Sequence, residues 1–430
     1  VLDRYAALDA SYLLARDLLR RPAGDHADFF TFVKRHSTLG GVAARPVDVN
    51  FVERFERRAD PPHVFLFIVD SLRRDYLSPY NPAVTFTPAV QAFASESVVF
   101  ERAFTQYGAT GLSVPAIWAG GLLLHKQYVR PFAPMHALQK LLDGAGYRRL
   151  MSDDHIVTQL FDPSPDTTWL DTGRHEMDHT LCGTTEELED VLESTPHDGR
   201  PVFAMTRPLQ LHTARLVRNA PVDPAAYPGF VPGYAAQVAA LDACLGRFVT
   251  YLKRSGLYEK SVVILTSDHG ESLGEDGRWG HAYTLYPEVV QIPLIVHLPT
   301  STDLAADRSR VVLSTDITPT LYALAGEPPR DLGPLYGDPL VSDPTESPPA
   351  RRRESFLLSS SYGPVYAMLR HNGRSLYIAD AVQGREFAYE MMPGGRFERQ
   401  TVTGTLRAVN RQLMRERIEA IAAAYRFRPS

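Results

Sequence analysis

The run HVFLFIVD, His63–Asp70, is apolar from Val64 to Val69 and ends in a carboxylate. An uninterrupted apolar run of strand length suits a strand buried on both faces, the usual situation in a parallel sheet covered by helices. SVVILTSD (Ser261–Asp268) has the same form, and RPVFAMTRP (Arg200–Pro208) and IPLIVHLP (Ile292–Pro299) are further strand candidates. Helical patterns separate them: TPAVQAFASES (Thr87–Ser97), MHALQKLLDGAG (Met135–Gly146) and AAQVAALDACLGRFVTYLKRSG (Ala235–Gly256). Strand–helix alternation predicts an α/β fold with a largely parallel central sheet flanked by helices.

The chain ends differ from this middle. Asp3–Arg21 and Ala27–His36 have apolar residues at helical spacing and carry no chemical motif. Ser342–Ser355 is rich in Pro, Ser and charge and reads as a linker; two strand-like runs and an amphipathic helix near Leu406–Tyr425 follow it. The expected organisation is a helical segment over 1–60, a main α/β domain over 61–341 and a small C-terminal α+β subdomain over 342–430. A net charge of −5 argues against a nucleic-acid partner. Cys182 and Cys244 are the only cysteines, which excludes a disulfide scaffold and a multi-cysteine zinc site and leaves a single disulfide open. No apolar run approaches the roughly 20 residues that span a bilayer.

In open parallel sheets, sites form at the carboxyl ends of strands. Asp70 and Asp268 both fall there, and His269 adjoins the second. A single acid in that place is as often a helix cap. Two acids with an imidazole suit a divalent metal. Thr105–Gly121, TQYGATGLSVPAIWAGG, adds a hydroxyl beside glycines and a helix start, with Pro115 expected in the first turn. A hydroxyl at a helix N-terminus meets backbone N–H groups and a positive dipole end, which favour an anion. On local pattern alone, Thr110 or Ser113 caps that helix, and Ser113 is the better cap. His155 with Asp153 and Asp154 reads as solvated surface, and Arg73 as support for the turn after Asp70.

Taken together, the motifs resemble the alkaline phosphatase/sulfatase superfamily over most of residues 61 to 330. HVFLFIVDSLRRDYLSPYNPAVTFTPAVQAFASESVVFERAFT is similar to the family's opening block, LTSDHGESLGEDGRWGHAYTLYPEVVQIPLIVHLP to its second metal block, and LSTDITPTLYALAG to the block after it. The resemblance implies Asp70, Asp268 and His269 as metal ligands, with Thr110 as both ligand and nucleophile. His281 and His212 are implied on the substrate side. Sulfatases that use formylglycine carry Cys or Ser where Thr110 stands, and an Arg where Val114 stands. Threonine cannot yield that aldehyde. Thr110-Gly-Leu-Ser-Val-Pro115 instead resembles the threonine-nucleophile branch, which includes phosphoethanolamine transferases and lipoteichoic acid synthases. Those transferases have several disulfides and a Glu where Asp70 stands, so their substrate does not carry over.

The activity this implies is metal-dependent hydrolysis or transfer of a phosphoryl group from a phosphate ester or phosphodiester of a lipid or glycan. Zinc is the expected metal, with manganese, calcium and magnesium as the other candidates. Two alternatives stand beside it: sulfate-ester hydrolysis without formylglycine, and non-catalytic binding of an anionic glycan or lipid headgroup. Relatives of the threonine branch work outside the cytoplasm on membrane tethers. Together with a first residue that is Val1, this gives the expectation of a periplasmic or membrane-anchored domain tethered through a missing N-terminal segment.

Overall fold

A computed structural model describes residues 25–37, 45–56, 60–124, 131–195, 198–212, 222–308, 310–345 and 354–427. The helix expected over Asp3–Arg21 and most of the linker stretch lie outside them. The apolar runs lie in a seven-stranded sheet together with strands that have none: β1 (His63–Ile68), β2 (Val98–Val99), β3 (Arg148–Ser152), β4 (Thr167–Leu170), β5 (Val202–Thr206), β6 (Ser261–Thr266) and β7 (Leu294–His297). The spatial order is β2-β7-β6-β1-β5-β3-β4. β6, β1, β5, β3 and β4 run parallel, and β7 lies antiparallel to both β6 and β2. IPLIVHLP is thus buried like its neighbours but reversed in direction, which its composition does not encode. β3 and β4 carry arginines or threonines at their starts and have no apolar run to announce them.

Side chains alternate across the sheet. Val64, Leu66 and Ile68 of β1 join the core on one face, and Phe65, Phe67 and Val69 the core on the other. Helix α1 (Asp25–Arg35) belongs to the first layer, with α3 (Thr110–Ala119) and α4 (Ala137–Ala145). On the second face α2 (Pro88–Ser95) and α6 (Pro232–Arg254) cover the sheet. The Phe248 ring of α6 sits 5.5 Å from both Phe65 and Phe67. A Cys182–Cys244 disulfide ties α5 (Leu181–Ser194) to α6.

Beyond the linker the chain makes a five-stranded antiparallel meander, more than the two strands expected: β8 (Ser355–Ser359), β9 (Val365–Arg370), β10 (Ser375–Asp380), β11 (Arg385–Met391) and β12 (Phe397–Gln400). α7 (Gly404–Ala424) closes it through Glu386, which accepts hydrogen bonds from Arg407 and Arg411 and from the Tyr377 hydroxyl. No helix among the described residues is long and apolar enough to cross a membrane.

Candidate active site

Register assembles the site. Ile68 pairs with Thr266 and Phe67 with Thr206, so three adjacent parallel strands stop at one edge of the sheet. Asp70 follows β1, Asp268 and His269 follow β6, and Arg207 follows β5. All four side chains are buried. α3 brings its first residue, Thr110, to the same edge, with Thr110 Oγ1 3.1 Å from both Asp70 Oδ2 and His269 Nε2.

The hydrogen bonds around His269 define its ring. Nδ1 lies 2.9 Å from the Gly270 carbonyl, which can only accept, so Nδ1 carries a proton and Nε2 is the nitrogen whose lone pair a cation could take. The Thr110 hydroxyl has one proton for two acceptors. Asp268 Oδ1 accepts from the backbone N–H of His269 (2.9 Å) and Ser71 (3.3 Å), whereas buried Asp268 Oδ2 has no hydrogen-bond partner among the described residues. An orphaned carboxylate oxygen, a second carboxylate, an imidazole lone pair and a hydroxyl, with one ligand atom each from Asp70, Asp268 and His269 within 4.8 Å of one another, are a donor set that fits a divalent cation.

Charge around the cluster is uneven. Burial opposes ionisation of Asp70, yet His269 and Arg207 beside it hold its carboxyl well below the usual range. Burial dominates at Asp268 and pushes its pKa up, with Asp70 adding to the effect. Arg207 donates to Asp70 Oδ2 at 2.8 Å and pairs through its other terminal nitrogen with Asp154. Asp154 is therefore not the solvated surface acid expected: it is buried, and its Oδ1 caps the short helix His155–Leu160. His155 does lie on the surface, beside Glu176. Arg73 pairs with Asp75 and Glu275, not with Asp70, and so secures the turn as expected.

Ser113 is not the cap. The helix begins at Thr110, so Ser113 lies within it and Pro115 inside it rather than in its first turn. The Ser113 hydroxyl donates to the Asp268 carbonyl and lies 2.9 Å from Thr105 Oγ1, fastening α3 to the segment that follows β6. Gly270 permits the close approach of the next segment: a Cβ there would lie 2.1 Å from the Glu288 carbonyl oxygen.

His281 reaches the same edge. Its ring centroid is 4.2 Å from that of His269 and 5.2 Å from that of His212. Burial works against its charge, but buried Glu271, with both oxygens 3.1 Å from Nδ1, raises its pKa to about 9. Sequence reasoning missed three members: Arg207, Asp154 and Glu271. Two of them had a signal, since Arg207 ends the strand run FAMTR and Glu271 stands two residues beyond His269.

Against known proteins, the sulfatase family model matches residues 62–327, more than half of the chain. The chain belongs to the sulfatase family. A relative, the N-acetylglucosamine-6-O-sulfatase of Bacteroides thetaiotaomicron, is 28% identical over 148 residues, 34% of this chain and 26% of that protein. The matches thus span about a quarter of the length of such curated relatives. Among solved structures, a phosphonate monoester hydrolase from Silicibacter pomeroyi superposes with a TM-score of 0.57 at 18% identity, covering 84% of this chain and 96% of that one. The lipoteichoic acid synthase of Listeria monocytogenes gives 0.57 at 14% identity, covering 92% and 97%. Both establish a shared fold, the alkaline phosphatase-like α/β architecture with its appended antiparallel sheet.

Proposed function

We propose that this sulfatase-family hydrolase acts on a phosphate ester or phosphodiester, with Thr110 as nucleophile and a divalent metal held by Asp70, Asp268, His269 and Thr110. The observation that carries the reading is the Thr110 hydroxyl at a helix N-terminus, 3.1 Å from both Asp70 Oδ2 and His269 Nε2 and beside the orphaned Asp268 oxygen. A divalent cation bound there would lower the pKa of a coordinated hydroxyl and neutralise a phosphoryl oxygen. The Thr110 oxygen, its proton released to water, would form a bond to phosphorus as the bond to the leaving oxygen breaks, giving a phosphothreonine. His281, oriented by Glu271, contacts the phosphoryl group or hands a proton to the leaving oxygen, and His212 lines the same side. Water, or an acceptor hydroxyl in a transferase, then displaces Thr110. Zinc suits the mixed oxygen and nitrogen donors.

A sulfate ester is the second reading, favoured by the sulfatase names of the curated relatives. Threonine cannot become formylglycine, so a sulfate ester would have to be cleaved here without that aldehyde. The Cys182–Cys244 disulfide supports an extracytoplasmic setting, where such bonds persist.

The test is turnover of chromogenic phosphate monoester, phosphodiester and sulfate-ester substrates after chelation and metal add-back, with mass spectrometry of protein trapped on a slow phosphodiester. An adduct on Thr110, and loss of turnover by several orders of magnitude in Thr110→Ala with partial retention in Thr110→Ser, is expected. Normal turnover by Thr110→Ala, or an adduct on Ser113, overturns the reading.

A further inference from the structure

Two large aromatic side chains lie open to solvent near the site. Tyr283 is 60% and Tyr362 44% exposed, and their rings sit 5.9 Å apart at an interplanar angle of 46°. They come from different parts of the chain, and both are fastened to the residues that precede the nucleophile. The Ala282 N–H donates to the Gly108 carbonyl (2.7 Å), the Ser361 hydroxyl to the Ala109 carbonyl (3.1 Å), and the Ser360 hydroxyl to the Ala282 carbonyl (2.9 Å). The pair thus stands where the C-terminal sheet's β8–β9 connection meets the start of α3.

The backbone that presents Tyr283 is strained. Ala282 has φ of +79°, and the Tyr283 N–H donates to the His281 carbonyl at 3.0 Å. A three-residue turn closed in this way with a positive φ at a non-glycine centre is rare and strained. Such outliers persist where the surroundings hold them, and they cluster at ligand clamps and active sites. Here the turn sends His281 toward the ligand cluster and leaves Tyr283 on the open side.

We propose that Tyr283 and Tyr362 form a subsite that packs against a sugar ring attached to the reacting phosphoryl group; this rests on the phosphoryl reading of Thr110. An open pair of tilted rings suits a pyranose, whose C–H face can lie on an aromatic surface while its hydroxyls stay hydrated or meet the phenol oxygens. An acyl chain needs an enclosed groove that buries most of its surface, which two rings this exposed do not make. The sugar-phosphate class therefore fits better than a lipid tail.

The test is calorimetric titration of the metal-loaded protein with two phosphonates that have no ester to cleave: ethylphosphonate and the methylene phosphonate analogue of glucose 6-phosphate. In the wild-type protein the sugar-bearing probe is expected to bind about tenfold more tightly. Tyr283→Ala and Tyr362→Ala should each lose most of that advantage while keeping ethylphosphonate affinity within about twofold. Tyr283→Phe should retain it, because the ring remains. Ethylphosphonate binding with no sugar advantage, or an advantage unchanged in both alanine variants, overturns the subsite alone. If neither phosphonate binds the wild-type protein, the phosphoryl reading falls and the subsite with it.

Discussion

Asp268→Asn separates the proposed metal site from the fold, because the two roles fall on different oxygens of one carboxylate. Oδ1 accepts backbone N–H groups from His269 and Ser71, and an amide oxygen can keep both. Oδ2 is buried without a hydrogen-bond partner among the described residues, 3.5 Å from His269 Nε2. An amide nitrogen placed there can donate to that lone pair. A buried unsatisfied polar atom costs about 1–3 kcal/mol, so the variant should equal or exceed the wild type in chelator. Unfolding entropy of about 2.1 cal/mol/K per residue over 430 residues is about 0.9 kcal/mol/K, making the gain about 1–3 °C in Tm. With free metal at 100 times Kd, binding stabilises the wild type by about 2.7 kcal/mol, or about 3 °C. The variant should gain under about 1 °C, so the order of the two melting temperatures narrows or inverts between buffers. Differential scanning calorimetry in chelator and in zinc reads this directly. An equal metal-induced shift in both proteins, or a fall of several degrees for the variant in chelator, refutes the assignment of Oδ2 to a cation.

Arg207→Met strips one cation from two buried carboxylates, Asp70 and Asp154, and should cost about 3–5 kcal/mol in chelator; added metal should recover part of this, measured as a Tm difference between the two buffers. Gly270→Ala drives a Cβ into the Glu288 carbonyl and should lower stability by about 1–3 kcal/mol in urea titrations, with metal present or absent. Glu386 is buried, which alone would raise its pKa, but hydrogen bonds from Arg411, Tyr377 and Arg407 hold it below its ordinary value. Its contribution is therefore complete above the unfolded carboxyl pKa of about 4.3 and is lost as pH falls through the lower folded value. Glu386→Gln should be less stable than wild type by about 1–3 kcal/mol at pH 7, with the gap closing below about pH 4; a gap independent of pH would refute the charge-based account.

The sequence by itself determined the architecture and singled out the acid–imidazole cluster, because both are written in local runs. The apolar stretches at His63–Asp70 and Ser261–Asp268 mark buried strands, and strand polarity then places Asp70 and Asp268 at one sheet edge. The histidine beside Asp268 follows from chain adjacency alone. What only the tertiary structure decided depends on groups distant in sequence. The reversed direction of β7, the pairing of Arg207 with Asp70 and Asp154, and the use of Ser113 as a clamp on the Asp268 carbonyl each need a partner found through packing. Asp154 looked like a surface acid because its neighbours are polar, and it is buried because strand β3 carries it under Arg207. A side chain's type limits what it can bond, but only the folded chain chooses which donor or acceptor stands within 3 Å of it.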